Sequence, residues 1–236
     1  MTEKLILSLK DVQTNIGQFH ILEGVSLDVP VKKATVMLGR NGAGKTTTLE
    51  SIMGLRPAFA GSIKFDDKEI IKKKDYLIPR MGIGYVPEDR EIFTHLTVEQ
   101  NLYISSRQKK IYKDRLAMIF DLFPDMEKYR HKKAGILSGG QAQMLSISRS
   151  LINDNKIILI DEPSKGLAPL IIHDLVSKIN EIKANCSILM VEQNFEMATA
   201  IGDLFYIIAE GRTVMTCGLD ELLSSEKIKN EYLGLS

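Results

Sequence analysis

The chain has 236 residues, of which 44% are hydrophobic and 26% charged, so it can bury a full core and still stay in water. Its 31 Lys and Arg nearly cancel its 30 Asp and Glu, which removes any global field for polyanions, and no nucleic-acid partner is expected. The start, MTEKLILSLK, lacks the basic and long apolar regions of a leader, and no stretch reaches the roughly 18 apolar residues that span a bilayer. A cytoplasmic protein is expected, with any membrane role exercised through partners.

In chain order, residues 5–9 and 25–29 alternate as half-buried strands do, whereas 34–38 and 156–160 are continuous apolar runs of the kind buried in parallel sheets. Helical stretches follow these runs at about 45–53 and 169–184, which makes the fold α/β. Between roughly 91 and 137 the period turns helical, with Leu116, Ile119, Phe120 and Phe123 as an apolar stripe, and this stretch reads as an inserted helical subdomain. Further strands are expected at 187–191 and 204–208, a hairpin turn at Glu210-Gly211-Arg212, and short helices at 219–225 and 226–233. Cys186 and Cys217 form no CxxC and read as core or strand-end thiols. His20, His95, His131 and His173 lack metal-ligand spacing, and the Lys-rich runs at 72–74, 109–113 and 128–133 read as solvated surface.

Gly39-Arg40-Asn41-Gly42-Ala43-Gly44-Lys45-Thr46 matches GxxxxGK[ST] between a buried strand and a helix. The glycines let several N–H groups converge on one phosphate, aided by the dipole of the following helix. Lys45 adds charge for the outer phosphates, and the Thr46 hydroxyl suits Mg²⁺, so ATP is the expected ligand and Mg²⁺ its companion. The second buried run ends in Asp161-Glu162, an acidic pair suited to divide two tasks. Asp161 would hold the metal shell, and Glu162 would orient and polarise the attacking water.

Leu137-Ser138-Gly139-Gly140-Gln141, lying between these two motifs, completes a set that resembles the ATP-binding cassette (ABC) family. The resemblance covers essentially the whole chain. It implies one cassette domain over 1–236, with a RecA-like nucleotide-binding core and antiparallel β subdomain in 1–90 and 150–236 and a helical subdomain in 91–149. It also implies a head-to-tail dimer with a second cassette subunit, in which Ser138, Gly139, Gly140 and Gln141 reach the ATP of the partner. The phosphate loop through Thr47 would hold the chain's own ATP. Finer matches in Tyr85-Val86-Pro87-Glu88-Asp89-Arg90, Ser164-Lys165-Gly166-Leu167-Ala168-Pro169 and Val191-Glu192-Gln193-Asn194 are similar to LivF-type ATPases of branched-chain amino-acid importers. Urea or amide importer ATPases are similar too, and a soluble cassette in cofactor assembly is the alternative of another class. The importer reading implies two membrane permeases docking near residues 97–106, an extracytoplasmic solute-binding protein that chooses cargo, and a peripheral place at the cytoplasmic membrane face.

Several positions depart from the wider family pattern. Glu88 stands where a Gln usually meets Mg²⁺, which keeps a hard oxygen ligand but adds negative charge beside the triphosphate. Gln193 replaces a His that contacts the γ-phosphate; it donates a hydrogen bond but takes up no proton. Ile16 replaces the aromatic residue that stacks on adenine, with Phe19 as a substitute to consider. Ala168 replaces an Asp associated with coupling across the dimer.

Overall fold

The computed structural model describes residues 3–226. Two twelve-residue strands, β1 (Leu5–Ile16) and β2 (Phe19–Pro30), form an antiparallel hairpin. The expected strands at 5–9 and 25–29 are only parts of them, because register shifts between Leu9 and Val12 and again near Thr14 break the alternation. After β3 (Ala34–Leu38) and α1 (Lys45–Ile52), β4 (Ala58–Phe65) returns to pair on the outer edge of β1, and the two-residue β5 (Lys68–Glu69) pairs in turn on β4.

The chain then runs through β6 (Ile83–Val86), α2 (Val98–Ser105), α3 (Tyr112–Leu122), α4 (Pro124–Lys128) and α5 (Gly139–Leu151). It continues as β7 (Ile157–Asp161), α6 (Pro169–Lys183), β8 (Ser187–Val191), α7 (Phe195–Ile201), β9 (Leu204–Ala209), β10 (Arg212–Cys217) and α8 (Leu219–Ser224). The helix expected over 226–233 lies, beyond Glu226, outside the described residues. Leu116, Ile119, Phe120 and Phe123 are all buried, as their spacing requires.

All strands among the described residues join one ten-stranded sheet in the order β5-β4-β1-β2-β10-β9-β3-β8-β7-β6. The block β9-β3-β8-β7-β6 is parallel, and β3, β7 and β8 are buried at every position, which is why β3 and β7 read as unbroken apolar runs. One core lies between this block and the helices α3, α5 and α6; the other joins α1 to the antiparallel arm. In an open parallel sheet, ligands collect at the carboxyl ends of the strands, and here those ends belong to β3, β6, β7 and β8.

The antiparallel arm depends on a glycine at its bulge. Gly61 has φ +93°, and a Cβ there would sit 2.4 Å from the Asp11 carbonyl oxygen. Gly61→Ala is expected to cost about 2 kcal/mol of unfolding free energy, measured by urea denaturation, because both conformation and contact oppose a side chain.

Candidate functional site

Leu38 ends β3, and the chain turns at once into the phosphate loop. Gly39 approaches so closely that a Cβ would lie 2.2 Å from the Ile208 carbonyl oxygen. The loop is braced from the β9–β10 turn, where the Gly211 N–H donates to the Ala43 carbonyl at 3.0 Å. The expected hairpin at Glu210-Gly211 therefore supports the loop as well as joining two strands. Gly44 caps α1 in the left-handed region, so the first N–H groups of the helix face the loop.

Ile16, Asn41, Gly42, Gly44, Lys45, Thr46, Thr47, Glu88 and Glu162 line a single 450 Å³ cleft, together with Ile21 and Lys165. Lys45 is almost fully buried, and its Nζ donates to the carbonyls of Gly39 at 2.8 Å and Arg40 at 3.0 Å. Desolvation holds its pKa below the ordinary lysine value against the pull of Glu162, Asp161, Glu192 and Glu88. Its ammonium is thus presented to the cleft on loop carbonyls that an incoming phosphate can outcompete.

Thr46 Oγ1 donates to Asp161 Oδ1 at 3.2 Å, tying the start of α1 to the end of β7. Asp161 is fully buried, and among the described residues its Oδ2 has no hydrogen-bond partner. Burial, above all, lifts its pKa to about 7; the Thr46 bond lowers it, while the nearby Glu162 and Glu88 raise it. An orphaned carboxylate oxygen beside a hydroxyl and the Glu88 carboxylate is a set of hard oxygen donors that fits Mg²⁺.

Glu162, the next residue, has φ +43°, a left-handed conformation unusual for a non-glycine and more so before Pro163. Its N–H is held by the Val191 carbonyl at 2.9 Å, and its Oε1 accepts from Gln193 Nε2. The strained turn directs Glu162 into the cleft, against Gln193 at the end of β8.

Other predicted residues lie elsewhere. Arg40 and Ala43 line a neighbouring cavity with Glu210. Phe19 is 65% exposed and does not line the cleft; Ile21 is the apolar residue beside Ile16 there. Ser138, Gly139, Gly140 and Gln141 open α5 away from this cleft. Ser138 and Gln141 form a reciprocal cap, Gln141 Oε1 accepting from the Ser138 N–H at 3.0 Å and Ser138 Oγ accepting from the Gln141 N–H at 3.3 Å. Gln141 Nε2 is also engaged, by Asp125 at 2.8 Å. Gly140 packs on Ile171, where a Cβ would come within 2.7 Å, so the signature end of α5 is held tightly against α6.

Three side chains gained significance only in three dimensions. Glu192 is 1% exposed, and its carboxylate accepts from the Ser164 N–H and hydroxyl and from the N–H groups of Gln193 and Asn194, at 2.9 to 3.0 Å. Arg90 Nε donates to Gln143 Oε1 at 3.0 Å and its Nη2 to the Lys165 carbonyl at 3.2 Å, bridging α5 and the loop after β7. Lys165 contacts Glu88. Only the motif context of residues 85–90, 164–169 and 191–194 pointed toward them.

A phosphate loop entering α1, an acidic strand end beneath it and a Ser-Gly-Gly-Gln cap on α5 define an ATP-binding cassette. The chain belongs to the ABC transporter family, whose profile, described as ABC transporter, matches residues 22–165, and it is an ATP-hydrolysing cassette of that family. It is 36% identical to the high-affinity branched-chain amino acid transport ATP-binding protein BraG of Pseudomonas aeruginosa, over 97% of this chain and 100% of that one. It is 35% identical to a probable branched-chain amino acid transport ATP-binding protein, LivF, of Archaeoglobus fulgidus, over 96% and 99%. The lipopolysaccharide export system ATP-binding protein LptB of Escherichia coli is 32% identical, over 91% of each chain. Among solved structures, a nucleotide-free ATP-binding cassette from an ABC transporter superposes with a TM-score of 0.85 at 25% identity, covering 95% of this chain and 97% of that one.

Asp161 is an acid whose folded pKa is raised, so its contribution to stability is present below the unfolded value near 3.8 and is lost as pH rises through about 7. Without nucleotide and metal, Asp161→Asn is expected to be more stable than the parent at pH 8, with the gap closing toward pH 5. Denaturant unfolding at both pH values measures this.

Proposed function

We propose that this chain is the ATP-hydrolysing subunit of an importer for branched-chain or related amino acids. The observation that carries the hydrolytic reading is the meeting of Lys45, Thr46, Glu88 and Glu162 in one cleft above the buried Asp161. The phosphate-loop N–H groups and Lys45 bind the phosphates, and Ile16 with Ile21 offers an apolar wall to the base. Thr46, Asp161 and Glu88 would hold Mg²⁺, which would supply charge neutralisation for the phosphates. Glu162 accepts a proton from water as the water oxygen bonds to the γ-phosphorus. The bond from that phosphorus to the bridging oxygen breaks, and the electron pair leaves on ADP. Gln193 orients Glu162 and the γ-phosphate, donating a hydrogen bond without titrating.

The exposed start of α5 completes the site of a second cassette in this reading, through the Ser138 hydroxyl and the N–H groups of Gly139 and Gly140. Residues 91–149 act as a helical subdomain beside a core formed by 1–90 and 150–236. Two permeases would dock where a 310 Å³ cavity lined by Tyr85, Ser105, Arg107 and Arg149 adjoins the exposed Phe93, Tyr103 and Ile104. Among the described residues no helix is long and apolar enough to cross a membrane, so passage through the bilayer falls to those subunits. The likeness to BraG and LivF supports the cargo class. LptB, a relative named for lipopolysaccharide export, matches over nine tenths of both chains, which supports assigning cargo choice to the partners and solute-binding protein.

Glu162→Gln is expected to lower steady-state ATP hydrolysis by about 10²- to 10⁴-fold while ATP still binds. Unchanged turnover would remove the proposed role of Glu162. Pull-down from solubilised membranes should recover two permeases and a second cassette; recovery of lipopolysaccharide-export components instead would replace the cargo assignment. Gln193→His should add a limb near pH 6–7 to the pH–rate profile, a titration that the parent lacks at this position.

A further inference from the structure

We infer that Lys165 is a specificity-determining residue of the nucleotide cleft: it masks the Glu88 carboxylate in the metal-free protein and so sets how strongly ATP binding depends on Mg²⁺. This rests on the ATP-binding reading of the cleft and concerns a side chain that reading leaves without a task.

The geometry is specific. Lys165 and Glu88 both line the cleft, and the Lys165 ammonium contacts Glu88 Oε1. The backbone that launches Lys165 is held on two sides. Its N–H donates to the Glu162 carbonyl at 3.1 Å, and its carbonyl accepts from Arg90 Nη2 at 3.2 Å. Arg90 and Glu88 lie on the same loop after β6, so the side-chain pair and the backbone bond join the same two segments.

Stability does not account for the pair. The Lys165 side chain is 61% exposed, and ion pairs in such a setting contribute about 0–1 kcal/mol. Electrostatics inside the cleft is a different matter. Glu88, Asp161 and Glu162 place carboxylates around a space meant for a polyanion, and among the described residues Lys45 and Lys165 are the cations lining it. With the ammonium against it, Glu88 adds little repulsion. When a divalent cation accompanies the nucleotide, the cation itself neutralises Glu88 and the lysine becomes dispensable. Lys165 therefore matters most for ATP arriving without metal.

The test is ATP affinity, measured by calorimetry in EDTA and in excess Mg²⁺, for the parent, Lys165→Met, Lys165→Arg, Glu88→Gln and the double variant Glu88→Gln/Lys165→Met. The exposure of Lys165 predicts unchanged melting temperatures for its variants, to be checked on each. Lys165→Met is expected to weaken metal-free ATP binding about tenfold and Mg²⁺-bound ATP by less than about threefold. Lys165→Arg should restore parental behaviour, and the double variant should recover most of the metal-free loss, because the unmasked charge is gone. Metal-free affinity within about twofold of the parent in Lys165→Met would overturn the inference. Equal weakening in both conditions would overturn it too, since it describes a plain phosphate contact, as would a double variant no better than Lys165→Met. A parent that binds no ATP in either condition would overturn the nucleotide reading and this inference together.

Discussion

A carboxylate held out of water at the end of β7 organises the rest of this molecule. Among the described residues, Asp161 is wholly buried, keeps one oxygen unpartnered and receives a hydroxyl bond from Thr46. Such a group is costly in a folded chain, and burial answers by lifting its pKa toward neutrality. In the proposed reading its cost is met by the Mg²⁺ and polyanion that would bind beside it. Its position requires β7 to be buried on both faces and the start of α1 to lie within hydrogen-bond reach. Both conditions follow from the parallel block in which β8 separates β3 from β7.

The surroundings of Asp161 explain how a cleft made of loops stays ordered. Glu192, just after β8, binds the backbone of Ser164 on one side and of Gln193 and Asn194 on the other. Its burial raises its pKa, while those donors favour the charged form. One carboxylate therefore fixes two loops without entering the cleft, and the left-handed turn at Glu162 is held between them. The conformational cost of that turn, about 1–3 kcal/mol, is offset by contacts from β8. Arg90 extends the bracing to α5, so the loop after β6, the loop after β7 and the signature helix share one polar junction.

Much of this was legible in the residues. Continuous apolar runs identified β3 and β7 because strands buried on both faces have no polar alternation to interrupt them, and β8 was expected as a further core strand. The phosphate loop and the Asp161-Glu162 pair were legible because their chemistry needs fixed residue types at fixed spacing. The full length of β1 and β2 was not, since register shifts and exposed polar residues break their pattern. Strands β4 and β6 were not singled out either; the first half of β4 has no buried residue, Ile63 and Phe65 being the only buried positions of the strand, and β6 is only four residues long.

The sequence by itself determined the class of protein and located the glycine-rich loop and the acidic strand end, because each is written in contiguous residues whose local conformation follows from glycine, lysine and apolar runs. Only the tertiary structure decided that Glu88 meets Lys165, that Gln193 meets Glu162, that Ile21 rather than Phe19 accompanies Ile16, and that Glu192 clips two loops together. Apart from the neighbours Ile16 and Ile21 and the local bonds of Glu192 to Gln193 and Asn194, those partners are 28 or more residues apart, and no local pattern encodes which carboxylate finds which distant donor. The choice is made when parallel strands align their carboxyl ends and bring distant loops to one edge of the sheet.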